Sequence, residues 1–214
     1  MSKLVIVESP AKAKTIQKYL GNGYAVLPTI GHIRELPKKD AIDPDNGYSM
    51  KYIVSPGKED AVKKIKGEAK KADQVILATD PDREGEAIAW HVADIIANSK
   101  FEQPEIKRAI FYEISEKAVK EAVNSPGEIA MDLVQSQETR RALDRHFGFS
   151  LSPLLWRLFP SNNHSAGRVQ SPALRMIVER EREIEAFVPQ EYWTVSAKLE
   201  KDGEYEAKLS AYKQ

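Results

Sequence analysis

From Val75 to His91 the chain reads VILATDPDREGEAIAWH: an apolar run enters four carboxylates, Asp80, Asp82, Glu84 and Glu86, and passes directly into a helical pattern. Any fold for this chain has to place a strand, an acidic turn and a helix in that order. The proline after Asp80 disfavours helical backbone at the aspartate and biases it toward extended geometry, so Asp80 and Asp82 are expected on one side of a strand end. A helix is expected from near Glu84, because Ile88, Val92, Ile95 and Ile96 recur at i, i+4, i+7 and i+8, the spacing of a buried stripe. The helix dipole offsets part of the repulsion in the acidic turn. Carboxylates at this density point further to a shared cation, and magnesium, which takes oxygen ligands and keeps waters, suits them best. A solvated acidic turn capping the helix accounts for the same residues, since one short motif carries a real false-positive risk.

Charge does not separate these readings, because 32 Lys and Arg balance 32 Asp and Glu. Only the distribution of charge bears on a polyanionic partner. A length of 214 residues allows one large or two small domains. The absence of cysteine excludes thiolate metal sites, disulfides and cysteine nucleophiles. The N-terminal MSKLVIVESP holds an apolar run too short for a secretory signal or membrane span, so a cytoplasmic protein without a membrane partner is expected.

Leu4 to Val7 reads as a buried strand ending at Glu8, and Ser9 and Pro10 form an N-cap and first-turn pair for a helix to about Leu20. Lys12 then lies where free backbone N–H groups and a cation together favour phosphate. Glu8 ends one strand as Asp80 ends another, and in a parallel sheet such ends lie along one edge where ligands bind. Glu8, Lys12 and the acidic turn could therefore converge, although a local Glu8–Lys12 ion pair is equally compatible. Strands are expected over Tyr24 to Ile30, Lys51 to Val54, Gln74 to Leu77 and Arg108 to Ile114, and helices over Lys58 to Ala72 and Ser115 to Val123. The loop from Pro37 to Gly47 carries no strand signal. This alternation indicates an α/β unit with a largely parallel sheet, ending near Ser125-Pro126-Gly127.

Beyond that punctuation lysine disappears from Glu121 to Ala197, and between Arg140 and Arg175 six arginines face one acid, Asp144. Arg140, Arg141, Asp144 and Arg145 fall on one helical patch. Arginine offers a planar fork for phosphate or base edges, and Phe149 supplies an aromatic face suited to an unpaired base. A solvated helical face is the plainer alternative, and Trp156, between Leu155 and Leu158, reads as core. Ser161 to Gly167 is a polar loop leading to a long helix with Ala173, Met176, Ile177, Ile184 and Phe187 along one side. A hairpin from Trp193 to Tyr212 turns at Lys201-Asp202-Gly203.

Five separated motifs, VIVESPAKAKTI, GHIRELP, ATDPDREGEAIAWH, TRRALDRHFGFSLSPLLW and SAGRVQSPALRMIVEREREI, resemble in this order the type IA DNA topoisomerases of bacteria. The resemblance implies a TOPRIM domain over residues 1–125 and, over 126–214, the first part of the helical DNA-binding arch domain. It matches Asp80, Asp82 and Glu84 to magnesium-binding acids, Glu8 to a glutamate that assists cleavage and religation and adjoins the metal, and Lys12 to a lysine on the reacting phosphate. It sets His32, Arg141, Arg145, Ser150, Arg157 and the loop Ser165, Ala166, Gly167, Arg168, Val169 and Gln170 against single-stranded DNA. Arg140, Asp144 and Phe149 would line a base pocket. The implied activity is ATP-independent relaxation of negatively supercoiled DNA by a monomeric enzyme of the bacterial nucleoid, through a 5′-phosphotyrosine. Two segments depart from the pattern, FPSNNH over Phe159 to His164 and Tyr112 before EIS. None of the eight tyrosines lies in the family's YxRTD context, which belongs to a later domain. A metal-dependent nuclease or primase would use the same acids but leaves the arginine motifs unexplained. A non-catalytic single-strand-binding module is the third class.

Overall fold

A computed structural model of the chain describes residues 2–39, 41–159 and 164–210. Ser161, Asn162 and Asn163 of the expected polar loop, and Tyr212 at the end of the expected hairpin, lie outside the described residues. The fold divides into two compact units, Met1–Ser165 and Ala166–Gln214.

The first unit is built on a parallel sheet of four strands: β1 (Lys3–Val7), β2 (Tyr24–Pro28), and two later strands given below. Helix α1 (Pro10–Leu20) joins β1 to β2, and Ser9 caps it by accepting from the Lys12 amide at 3.3 Å. Four two-residue strands follow, β3 (Arg34–Glu35), β4 (Ile42–Asp43), β5 (Ser49–Met50) and β6 (Ile53–Val54). They pair antiparallel, β3 with β6 and β4 with β5, outside the main sheet. The expected strand at Lys51 to Val54 is thus only Ile53–Val54 at a ribbon edge, and the loop read as strandless contributes β4. Pairs this short are held by a few main-chain bonds and lack the alternation that sequence reading detects. Helix α2 (Glu59–Ala69), β7 (Gln74–Leu77), α3 (Arg83–Ala97), β8 (Glu105–Arg108), α4 (Glu116–Asn124) and α5 (Met131–Leu158) complete the unit.

Sheet order is β2-β1-β7-β8, every neighbour parallel, with Val5 opposite Val26 on one side and Ile76 on the other. Alternate residues feed two cores, as a sheet buried on both faces requires. Leu4, Ile6, Val75 and Leu77 pack with Val62 and Ile65 of α2 and Ala89, Val92 and Ile96 of α3. Val5, Val7 and Ile76 pack with Ala13 and Ile16 of α1 and Val119 and Val123 of α4. The last strand occupies Glu105–Arg108 rather than Arg108 to Ile114, because the sheet closes on Arg108, whose main chain bridges Gly127 in both directions at 2.8 and 2.9 Å. α5 packs its Val134, fully buried, toward α3. Trp156 is not core: it is 44% exposed and its indole N–H donates to the His164 carbonyl at 2.7 Å.

The second unit contains α6 (Gln170–Glu185) and the antiparallel hairpin of β9 (Ser196–Glu200) and β10 (Glu204–Lys208). Asp202 and Gly203 at the turn both take positive φ, 58° and 144°. No described helix is long and apolar enough to cross a membrane.

Candidate functional site

The carboxyl ends of β1 and β7 meet as the parallel register demands. Glu8 accepts the Asp80 amide N–H at 3.0 Å, and Lys12, in the first turn of α1, donates to the Asp80 carboxylate. Burial pushes the Glu8 carboxyl above its ordinary range; the Asp80 amide opposes this and the Asp80 carboxyl reinforces it. Burial also works against an ionised Asp80, yet the bonds from Lys12 and Glu8, with the charges of Lys12 and Arg108, hold its pKa below the ordinary value. The two carboxyl pKa values are thereby driven apart, Glu8 upward and Asp80 downward.

A carbon-detected NMR titration is expected to find Glu8 titrating above, and Asp80 below, their unfolded values. The signs for stability are opposite. Glu8 favours folding while protonated, and that contribution fades as pH rises through its raised pKa; Asp80 favours folding while ionised, and its contribution fades as pH falls through its lowered pKa. In Lys12→Met the Asp80 curve should move up. An unmoved curve would show that Lys12 is not its counter-ion.

The other acids of the turn do not gather around a common point. Asp82 caps α3, accepting from the Gly85 amide at 2.7 Å. Glu84, 61% exposed, meets His32 Nε2 at 3.0 Å. Glu86 turns inward, 1% exposed, and pairs with Arg108 at 2.9 Å. The oxygen donors suit a hard divalent ion, but among the described residues no three His, Cys, Asp or Glu are placed to hold a metal. Asp80, Glu84 and Glu86 each meet a separate basic partner, Lys12, His32 and Arg108, brought from elsewhere in the chain. Asp80, Asp82 and Glu84 are the oxygen donors that a divalent ion would take, each engaged with a partner within the chain.

Arg108 is the feature that sequence reading missed. Its buried guanidinium donates to Glu86, to the carbonyls of Leu77 and Ala109, and to the Asp80 carbonyl at 2.8 Å. Glu86 also accepts the Ala130 amide at 3.3 Å. One ion pair thus ties the acidic turn, α3, β8 and the entry to α5. The available signal is Glu86 itself, an acid in register with Ala89 and Ile96, both fully buried. Gly85 brings α3 against the turn: a Cβ there would stand 2.1 Å from the Asp80 carbonyl oxygen. Thr79 adds a hydroxyl bond to the Gly85 carbonyl at 2.7 Å.

His32 reaches Glu84 because the chain kinks after β2, where Ile30 and Gly31 take φ of 60° and 81°. A β-branched residue at positive φ is strained. The Gly31 amide donates to the Glu8 carbonyl at 3.0 Å and Lys58 to the Ile30 carbonyl at 2.6 Å, which hold the kink.

α5 carries the arginine motif, and helical spacing splits it. Arg140 faces Asp144 at 3.7 Å, one turn apart. Arg145 donates to the carbonyls of Pro37 and Lys38 and stacks 4.6 Å from the Phe149 ring centre. Arg145 and Phe149 line a cavity of about 980 Å³ between α5 and the β4–β5 ribbon. Of the three expected base-pocket residues, Phe149 lines this cavity, while Arg140 and Asp144 pair with each other one turn back along α5. Ser150 and Arg157 lie exposed farther along α5. Ser165 ends the first unit, and Ala166 to Gln170 open the second, where the Gly167 carbonyl accepts from Ser171 at 3.0 Å and Val169 stands at the N-cap of α6.

The Toprim domain family profile matches residues 3–114, and the DNA topoisomerase profile matches residues 128–214. DNA topoisomerase 1 of Xylella fastidiosa (strain Temecula1) is 55% identical over 196 residues, covering 91% of this chain and 24% of its own. The DNA topoisomerase 1 of Zymomonas mobilis is 53% identical over 201 residues, covering 94% of this chain and 16% of its own. The solved full-length topoisomerase I of Thermotoga maritima superposes with a TM-score of 0.77 at 44% identity, over 98% of this chain and 35% of that one. The chain spans about a quarter or less of the curated relatives it matches.

Proposed function

The chain belongs to the bacterial DNA topoisomerase I family, as a Toprim domain followed by the start of the DNA topoisomerase region, and from that membership we propose that it is the amino-terminal part of an enzyme relaxing negatively supercoiled DNA without ATP. Relaxation proceeds by transient cleavage of one strand through a 5′-phosphotyrosine and by religation. The observation that carries this reading is the convergence of Glu8, Lys12 and Asp80 at adjacent strand ends. Glu8, with its raised pKa, is suited to give a proton to the leaving 3′ oxygen and recover it on religation. Lys12 offsets charge developing on the phosphate, and Asp80 holds Lys12 in place until DNA arrives. Arg141, Arg145, Ser150 and Arg157 of α5 contact single-stranded DNA, and the Ser165 to Gln170 loop is a separate DNA contact. Magnesium is the cation proposed for Asp80, Asp82 and Glu84 on donor chemistry alone, and its binding requires these acids to exchange their present partners.

The nucleophile is supplied from outside these residues, since no tyrosine here stands in the family's motif. Incubating the purified chain with supercoiled plasmid and magnesium, then resolving topoisomers, is expected to leave the plasmid unchanged. Nicked circles would favour a nuclease, in which metal-activated water cuts the ester and nothing is kept for religation. Relaxed closed circles with DNA covalently held by one of the eight tyrosines would overturn the assignment of the nucleophile.

A further inference from the structure

Tyr52, just before β6, is the meeting point of four side chains that the proposed function leaves unused or only half used. Arg34 of β3 lies over its ring with the guanidinium carbon 5.3 Å from the centre, and Arg141 of α5 lies over it at 5.8 Å. His91 and Trp90 of α3 meet the ring edge-on at 4.4 and 6.1 Å. Asp94 pairs with Arg34, and Glu138 lies against the Tyr52 hydroxyl. Arg141 has no carboxylate within ion-pair distance among the described residues. Two ring nitrogens in the same neighbourhood, Nδ1 of His91 and Nδ1 of His32, are buried with no hydrogen-bond partner among the described residues, and His91 as a whole is 1% exposed.

An arginine stacked on a ring keeps its N–H donors in the guanidinium plane, pre-organised for bidentate contact with a phosphate. We propose that Tyr52 is the platform of a phosphodiester seat, holding Arg141 and Arg34 for one backbone phosphate of the single strand, beside the unmet nitrogens of His91 and His32. Tyr52 acts through the arginines and is a positioning residue. The local field agrees with an anion: burial first, then the charges of Arg34, Arg141 and His32, hold the His91 pKa down to about 3. The seat lies between the His32–Glu84 contact and the arginine face of α5, so it would fix the strand where it passes from α5 toward the acidic turn. It rests on the nucleic-acid reading above.

The test is fluorescence anisotropy of a labelled oligothymidylate with the chain of 214 residues, titrated at several salt concentrations. Tyr52→Phe keeps the ring and should bind like the unaltered chain. Tyr52→Leu should weaken binding roughly tenfold, the loss of one charge-assisted contact, and lower the salt slope by about 0.7, one phosphate's share. Arg141→Ala added to Tyr52→Leu should cost little more, because the two act as one unit. If Tyr52→Leu does not fold by circular dichroism, Arg34→Gln with Arg141→Ala serves for the same cycle. The seat is overturned if Tyr52→Leu binds as tightly as Tyr52→Phe, or if the paired losses simply add. Failure of the unaltered chain to bind the oligonucleotide would overturn the nucleic-acid reading and the seat with it.

Discussion

Replacing Arg108 by methionine is expected to remove about 3–5 kcal/mol of stability, the loss found when one partner of a buried ion pair is taken away. Glu86, 1% exposed, would then hold a charge with only the Ala130 amide for company. The carbonyls of Leu77, Ala109 and Asp80 would lose a donor at the same time. Glu86→Leu should cost nearly as much, for the mirrored reason. The double variant should recover part of the loss, since an apolar pair no longer buries a lone charge, but not all of it, because the three carbonyls remain unmet. Urea unfolding at neutral pH checks the series, and single variants within about 1 kcal/mol of the parent would show that the pair is not sealed from water as its burial indicates. Arg108→Met should also raise the Asp80 pKa, since the Arg108 charge helps to lower it.

Gly85→Ala is the second large effect, and two considerations give it opposite signs. Alanine in place of glycine inside a helix ordinarily stabilises by about 1 kcal/mol. Here the added Cβ would stand 2.1 Å from the Asp80 carbonyl oxygen and 2.8 and 2.9 Å from its nitrogen and carbonyl carbon. All three are backbone atoms, so no rotamer change relieves the clash. The helix start has to move, which strains the Thr79 bond and the Asp82 cap. We expect the contact to prevail, with a net loss of about 1–3 kcal/mol, the usual range for overpacking. The Glu8 and Asp80 NMR signals should shift with it. A variant more stable than the parent, with those signals unmoved, would contradict the close approach.

Local patterns of this fold are legible in the sequence, and contacts that join distant elements are not. The strand-end acids, the Ser9-Pro10 cap and the α3 stripe are local patterns, and each appears in the structure where its spacing puts it. The partners of the acidic turn are not local: Lys12, His32 and Arg108 come from other strands and loops. Asp80, Glu84 and Glu86 are close in sequence, yet each meets a basic partner that only the fold brings to it. Glu86 reads as one of four acids in the turn, although its register with Ala89 and Ile96 assigns it to the buried side. Trp156 reads as core from its leucine neighbours, yet its polar ring nitrogen finds a carbonyl at the end of α5 and its ring stays partly open. The ribbons β3–β6 and β4–β5 are set by pairing across 6 to 20 residues and leave no periodic trace.

The proposed function requires that this chain bind single-stranded DNA through the arginines of α5 although its net charge is zero. The salt dependence of oligothymidylate binding, compared between the unaltered chain and Arg141→Ala with Arg145→Ala, with duplex of equal length as competitor, tests it. Preference for the single strand is expected, with a salt slope that falls by about 1.4 in the double variant, roughly 0.7 for each phosphate released. Equal affinity and equal slope in the two proteins would return these arginines to ordinary solvated surface and overturn the single-strand reading.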